Sequence, residues 1–178
     1  DDLLEQIIQA IIDPRWDEVT YHSIHGQTRK TFVVSFCRLV NHVGRLYIIA
    51  WHPKYEQYIT LAADRVESVR IADAQPKPLH TFDEQAYRQQ RFGVYDGDVK
   101  TVVLKVRPTA RDYFLTRHWH PTAQITEHRD GSLTLTMRVP VSPELVTWVM
   151  GWAHELKAMK PKELVDACKK VANEVRKL

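Results

Sequence analysis

The chain has 178 residues, 44% of them hydrophobic and 26% charged, with 25 Lys+Arg against 22 Asp+Glu and a formal net charge of +3. That size holds one domain or two small ones, and the ordinary globular composition excludes a disordered, collagenous or coiled-coil description of the whole. No apolar run approaches the roughly 18 residues of a membrane helix, and no secretory leader is recognisable.

The two cysteines, Cys37 and Cys168, stand too far apart to imply a disulfide framework, so a reducing cytoplasm is the expected location. The first residue is Asp and an apolar periodic segment begins at once, so the chain is read as a piece of a longer protein. Leu3, Leu4, Ile7, Ile8 and Ile11 mark one face of a connecting helix over residues 1–13, which Asp13-Pro14 ends. From Trp16 the period changes to two, with Val19 and Tyr21 alternating with Thr20 and His22. A turn holding Gly26, a β-rich run over 32–40, a second turn at Asn41-His42-Val43-Gly44 and an apolar run over 46–51 follow. His52-Pro53-Lys54 turns the chain again, and two short strands are expected over 55–61 and 66–71. Strands this close together leave no room for helices and predict a small antiparallel β-barrel over residues 14–75.

Pro76 and Pro78 open a linker over residues 76–96, with a short helix around 82–92 and a glycine-bearing loop behind it. The second domain, residues 97–178, begins with a strand over 99–106 and a helix from Pro108 to Arg117. Strands over 123–127 and 133–139 are joined at Arg129-Asp130-Gly131, a hairpin signal. Ser142-Pro143 caps another helix, and Pro161 opens the last, with a short strand possible between them at 156–159. The order βαββα predicts a ferredoxin-like α/β sandwich, so the whole chain is expected to be mixed α+β. Residues 1–80 hold 9 Lys/Arg and 10 Asp/Glu, while residues 81–178 hold 16 and 12, so the second domain carries the positive charge.

In order and spacing these residues resemble a known pair of domains. Val19-Thr20-Tyr21-His22-Ser23, Gly26, then Gly44 through Trp51, and Asp64-Arg65-Val66 resemble the WYL domain. Phe82, Tyr87, Phe92-Gly93, His118-Trp119-His120-Pro121, Gln124, Asp130 through Leu133, Trp148, Gly151 and Pro161 through Leu164 resemble the WCX extension that follows it. Leu46 and Ile48 stand where the signature has Trp and Leu, Ser35 where it has Pro, and Thr31 and Ile59 where it has Arg. The resemblance implies a bacterial transcription regulator. Its Sm- or SH3-like WYL barrel senses an effector, its WCX domain helps to form a homodimer, and a winged helix-turn-helix, absent from these residues, binds promoter DNA. It also implies a nucleic-acid effector such as single-stranded DNA, as in the DNA-damage and phage-defence settings of some members.

The candidate ligand residues are Tyr21, Ser23, Arg29, Lys30, Tyr47, His52, Lys54 and Arg65. Cations would neutralise phosphates, hydroxyls position them, and aromatic rings stack bases. The plainer reading makes Tyr21 and Tyr47 core aromatics, pairs Arg65 with Asp64 or Glu67, and leaves Lys54 on a solvated turn. Arg107, Arg111, Arg117, His118 and His120 form a second basic cluster, with Arg107 and Arg111 placed to share a helix face; a solvated face is the alternative. His118-x-His120 with His128 invites zinc, yet no cysteine pair or carboxylate falls at ligand spacing, so neither metal nor cofactor is expected. Ser23 has His22 and His25 nearby, but adjacent strand residues face opposite ways and no nucleophile elbow is present, so no catalytic residues and no enzyme are expected. Trp51, Trp119, Trp148 and Trp152 fill cores, or else Trp148 and Trp152 form a ridge for a dimer. Rival functions are a dimerisation module without ligand and an Sm-like RNA-binding regulator.

Overall fold

A computed structural model describes residues 2–23, 28–74 and 79–177; the predicted turn at Gly26 and the linker prolines Pro76 and Pro78 lie outside them. The chain divides into two compact units, Asp1–Phe82 and Asp83–Leu178.

The first unit opens with helix α1 (Asp2–Ile12), whose acidic first turn suits the positive end of the helix dipole. Its Ile7 and Ala10 are buried against a five-stranded sheet of β1 (Asp17–Ser23), β2 (Thr28–His42), β3 (Arg45–His52), β4 (Gln57–Ala62) and β5 (Val66–Ile71). All four ladders are antiparallel, and the order is β4-β3-β2-β1-β5. Strand β2 serves two partners. Its first half pairs with β1 and its second half with β3, and the register shifts by one residue between Phe36 and Arg38. Such a bulge bends and twists a strand. The expected barrel is present as an antiparallel sheet but is not closed: no ladder joins the edge strands β4 and β5 among the described residues. The 43–44 turn has positive φ at both central residues, +50° at Val43 and +76° at Gly44, the geometry that matches hairpin twist.

The second unit contains α2 (Glu84–Gln89), capped by Asp83, and a small hairpin of β6 (Arg91–Phe92) and β7 (Tyr95–Asp96). Its main sheet holds β8 (Val99–Val106), β9 (Gln124–Glu127), β10 (Leu133–Pro140) and β11 (Leu156–Lys160) in the order β11-β8-β10-β9, all antiparallel. The helix after β8 is shorter than expected: a 3-10 turn from Pro108 leads into α3 (Arg111–Leu115). Helix α4 (Pro143–Gly151) starts as anticipated, with the Ser142 hydroxyl accepting the Leu145 N–H at 3.2 Å and Pro143 in the first turn. Helix α5 (Lys162–Val175) follows β11. The elements thus run β-α-β-β-α-β. Alternate residues of β8 and β10, among them Val102, Leu104, Val106, Leu133, Leu135 and Met137, are buried with Phe114, Leu145 and Leu164 from the helices. The other face of this sheet carries the intervening, largely polar residues.

Candidate functional site

Alternation along the strands decides which of the sequence-predicted residues can meet. On β1, Asp17 and Val19 are fully buried and Tyr21 and Ser23 half-buried, so this set points to the core side. Tyr21 lies opposite Lys30 and Val19 opposite Phe32, which places Lys30 and Phe32 on the same side. On β3 the core-side set is Ile48, Ala50 and His52. At one end of this face the aromatic rings form a run. Tyr21 meets Phe32 edge-on at 6.5 Å, Phe32 stacks on His52 at 5.7 Å, and His52 contacts Tyr55 at 4.5 Å. The Lys54 ammonium lies 5.6 Å from the Tyr55 ring centre, and Lys30 is exposed beside Tyr21. Ser23 belongs to the same face, opposite Thr28.

His52 is 9% exposed. Its Nδ1 accepts the Lys54 backbone N–H at 3.3 Å, which leaves the ring proton on Nε2. Burial, with a smaller push from Lys54, holds its pKa below the ordinary histidine value, so the ring is neutral at pH 7. The resulting site has aromatic faces to stack on, one neutral donor, and two flanking ammonium groups.

Other candidates stand elsewhere. Tyr47 is on the opposite face of β3 from His52; it meets His42 at 6.4 Å and lies under Arg45 at 5.8 Å. Arg29 lies opposite His22, on the outer side of β1–β2, where its Nε is 2.5 Å from Glu67. Arg65 pairs with neither Asp64 nor Glu67. Asp64 is held by a forked contact with Arg45 at 2.8–3.1 Å, and Glu67 by Arg29, so Arg65 has no ion-pair or hydrogen-bond partner among the described residues. Phe32 and Tyr55 were not singled out from the sequence. Phe32 was readable in principle, because it sits two residues from Lys30 on one strand face.

The outer face of β3–β4 is covered by the chain itself. His80 stacks on Trp51 at 3.7 Å and 12°, and hydrogen-bonds to the Tyr58 hydroxyl at 2.8 Å; Phe82 packs on Tyr58 and under Arg38. Trp51 therefore anchors the 79–82 segment.

In the second unit the predicted basic cluster disperses. Arg107 precedes the 3-10 turn in extended conformation, so it shares no helix face with Arg111. Arg111 is engaged by Asp112 and Glu127, which raise its pKa further. Arg117 lies 3.3 Å from the Tyr113 ring centre and donates to the Tyr113 carbonyl. His120 is a structural clasp. Its Nδ1 accepts the Thr122 N–H at 3.2 Å, and its Nε2 faces the carbonyls of Arg88 and Arg91 at 2.8 and 2.9 Å. His118 is exposed, and no group of three or more His, Cys, Asp and Glu able to hold a metal ion occurs among the described residues. Trp119, Trp148 and Trp152 pack around Phe114 at the rim of the core. The described helices include none long and apolar enough to cross a membrane.

An all-antiparallel first sheet and a β-α-β-β-α-β second unit define a two-module class, and family models place the chain within it. It matches the WYL domain at residues 2–71 and the WCX domain at residues 98–176. The chain is a WYL domain followed by a WCX domain. No curated protein matches it. Among solved structures, a CRISPR Cas-related protein aligns with TM-score 0.69 at 9% identity, covering 99% of this chain and 51% of that one. The proteasome accessory factor B/C (PafBC) of Arthrobacter aurescens aligns with TM-score 0.40 at 21% identity, covering 94% of this chain and 26% of that one. The chain thus spans about a quarter and about half of the length of these two structures.

Proposed function

We propose that this chain is the effector-sensing and dimerising region of a bacterial transcription regulator, and that its first unit binds a nucleic-acid ligand such as single-stranded DNA. The observation that carries the reading is the run Tyr21–Phe32–His52–Tyr55 flanked by Lys30 and Lys54. Stacking faces beside ammonium groups are what a single strand needs: rings take bases whatever their identity, and cations take the phosphates. Arg65, without a partner among the described residues, is a further cation for such a ligand. In this reading the chain performs no catalysis, acts in the cytoplasm as a homodimer, and leaves the promoter contact to a winged helix-turn-helix outside these residues. The strand order of the first sheet supports an Sm-like fold for the WYL unit, and the element order supports a ferredoxin-like one for the WCX unit.

The test is titration of a short 5′-phosphorylated single-stranded DNA into the protein at two salt concentrations. Binding that weakens with salt, and that weakens further in Lys54→Ala and Arg65→Ala with a flatter salt slope, is expected. Absence of binding at low salt removes the nucleic-acid reading and leaves a dimerisation module. A preference for RNA over DNA of the same sequence would move the assignment to an RNA-binding regulator.

A further inference from the structure

The helices of the second unit cover one face of its sheet, and the register shows what stands on the other. Lys157 lies opposite Lys105, which lies opposite Thr134, which lies opposite Thr126. One row along, Lys160 lies opposite Val103, then Thr136 and Gln124; next comes Thr101 opposite Arg138. The shift between Ala158 and Lys160 is what brings Lys160 to this face, because it takes up one residue while Ala158 still packs on the core. These paired positions thus carry Lys105, Lys157, Lys160 and Arg138, all exposed, with Thr and Gln side chains between them and no carboxylate. At the end of the rows, Lys105, Arg107 and Lys157 line a cleft of about 550 Å³ with Asp130, Ser132 and Glu155. Its two carboxylates are already engaged: Asp130 accepts from the Ser132 N–H and hydroxyl, and Glu155 from Thr109.

We propose that this uncovered face of the WCX sheet is a platform for the phosphate backbone of a nucleic-acid strand, an inference that rests on reading the chain's ligand as nucleic acid. Cross-strand neighbours stand ~5 Å apart, so Lys105 and Lys157 meet one phosphate together, while hydroxyl and amide groups serve phosphate and sugar oxygens. The paired positions carry no aromatic ring, and the one imidazole beside them, His128, is tied to the Thr134 hydroxyl at 2.8 Å, so the face reads mainly backbone rather than sequence. An acidic peptide fits less well, because peptide docking draws its specificity from a buried apolar anchor and Val103 is the one large apolar side chain in these rows.

The test is lysine acylation of the whole chain at low salt, read by mass spectrometry with and without a 5′-phosphorylated oligo(dT). Several-fold protection of Lys105, Lys157 and Lys160, with Lys169 and Lys170 of α5 unchanged, is expected. Protection confined to Lys30 and Lys54 overturns the platform and keeps the first-unit site. Protection confined to the second unit keeps the platform and removes that site, and no protection anywhere overturns both. A Lys105→Gln/Lys157→Gln variant changes only exposed side chains. It should lower the salt slope by about 0.7, for the one phosphate the pair neutralises, equally for oligo(dT) and oligo(dA). An unchanged slope, a loss that differs between the two sequences, or equal protection by polyglutamate overturns the proposal.

Discussion

The Tyr21 hydroxyl accepts the backbone N–H of Ala62 at 3.2 Å, tying the end of β4 to β1 across 41 residues of sequence. The ring of Tyr21 begins the aromatic run, but its oxygen is a structural acceptor at the corner where β4 gives way to the 3-10 turn Ala63–Arg65. Tyr21→Phe keeps the ring and strands the amide. We expect a loss of about 1 kcal/mol in urea unfolding, with oligonucleotide affinity within twofold of wild type. A large affinity loss at unchanged stability would assign the hydroxyl to the ligand.

His52 makes folding sensitive to acid. Its folded pKa is depressed, so the unfolded chain takes up its proton first as pH falls below about 6.5. The stability contributed by the neutral ring is present above that pH and is lost as pH falls through the window down to the depressed folded value. Between pH 7.5 and 5.5 the urea midpoint of wild type should therefore fall by more than that of His52→Phe, which keeps a ring against Phe32 and Tyr55. Equal falls would show that His52 does not titrate with folding.

Local patterns made much of this molecule readable. The period-two runs identified the strands, Ser142-Pro143 gave the start of α4, and Asp130-Gly131 gave the β9–β10 turn. What stayed hidden were pairings that depend on distant chain. Tyr47 and His52 look alike as candidates, yet five residues on one strand put them on opposite faces. Nothing near Asp64 announces Arg45, and nothing near His120 announces the carbonyls of Arg88 and Arg91. The platform on the second sheet needed the β8–β10–β9 and β8–β11 registers before its lysines could be seen as neighbours.

The two thiols should differ in reactivity. Burial pushes Cys37 up to about 11, and raises Cys168 as well. At pH 8 a thiol of that pKa is about one part in a thousand thiolate, against roughly a quarter for an unperturbed one. Native-state alkylation should therefore label Cys168 before Cys37, and urea should abolish the difference. Faster labelling of Cys37 in the folded protein would mean that the bulged segment of β2 opens readily.

Gly93 and Glu144 depend on each other. Gly93 has φ of +65°, and a Cβ placed there would run into the Glu144 carboxylate, whose Oε2 accepts the Val94 N–H at 3.2 Å. Gly93→Ala thus combines a left-handed backbone strain of about 1–2 kcal/mol with displacement of a hydrogen-bonded carboxylate worth about 1 kcal/mol more. Glu144→Gln keeps an acceptor in place and should cost less than Glu144→Ala. In the Glu144→Ala background the collision is gone, so Gly93→Ala should retain only its backbone cost. A double-mutant cycle on denaturant midpoints, followed through the tryptophans of the second unit, should give a coupling of about 1 kcal/mol. Additive losses would mean that the two residues act separately and that the carboxylate does not hold the 93–94 turn.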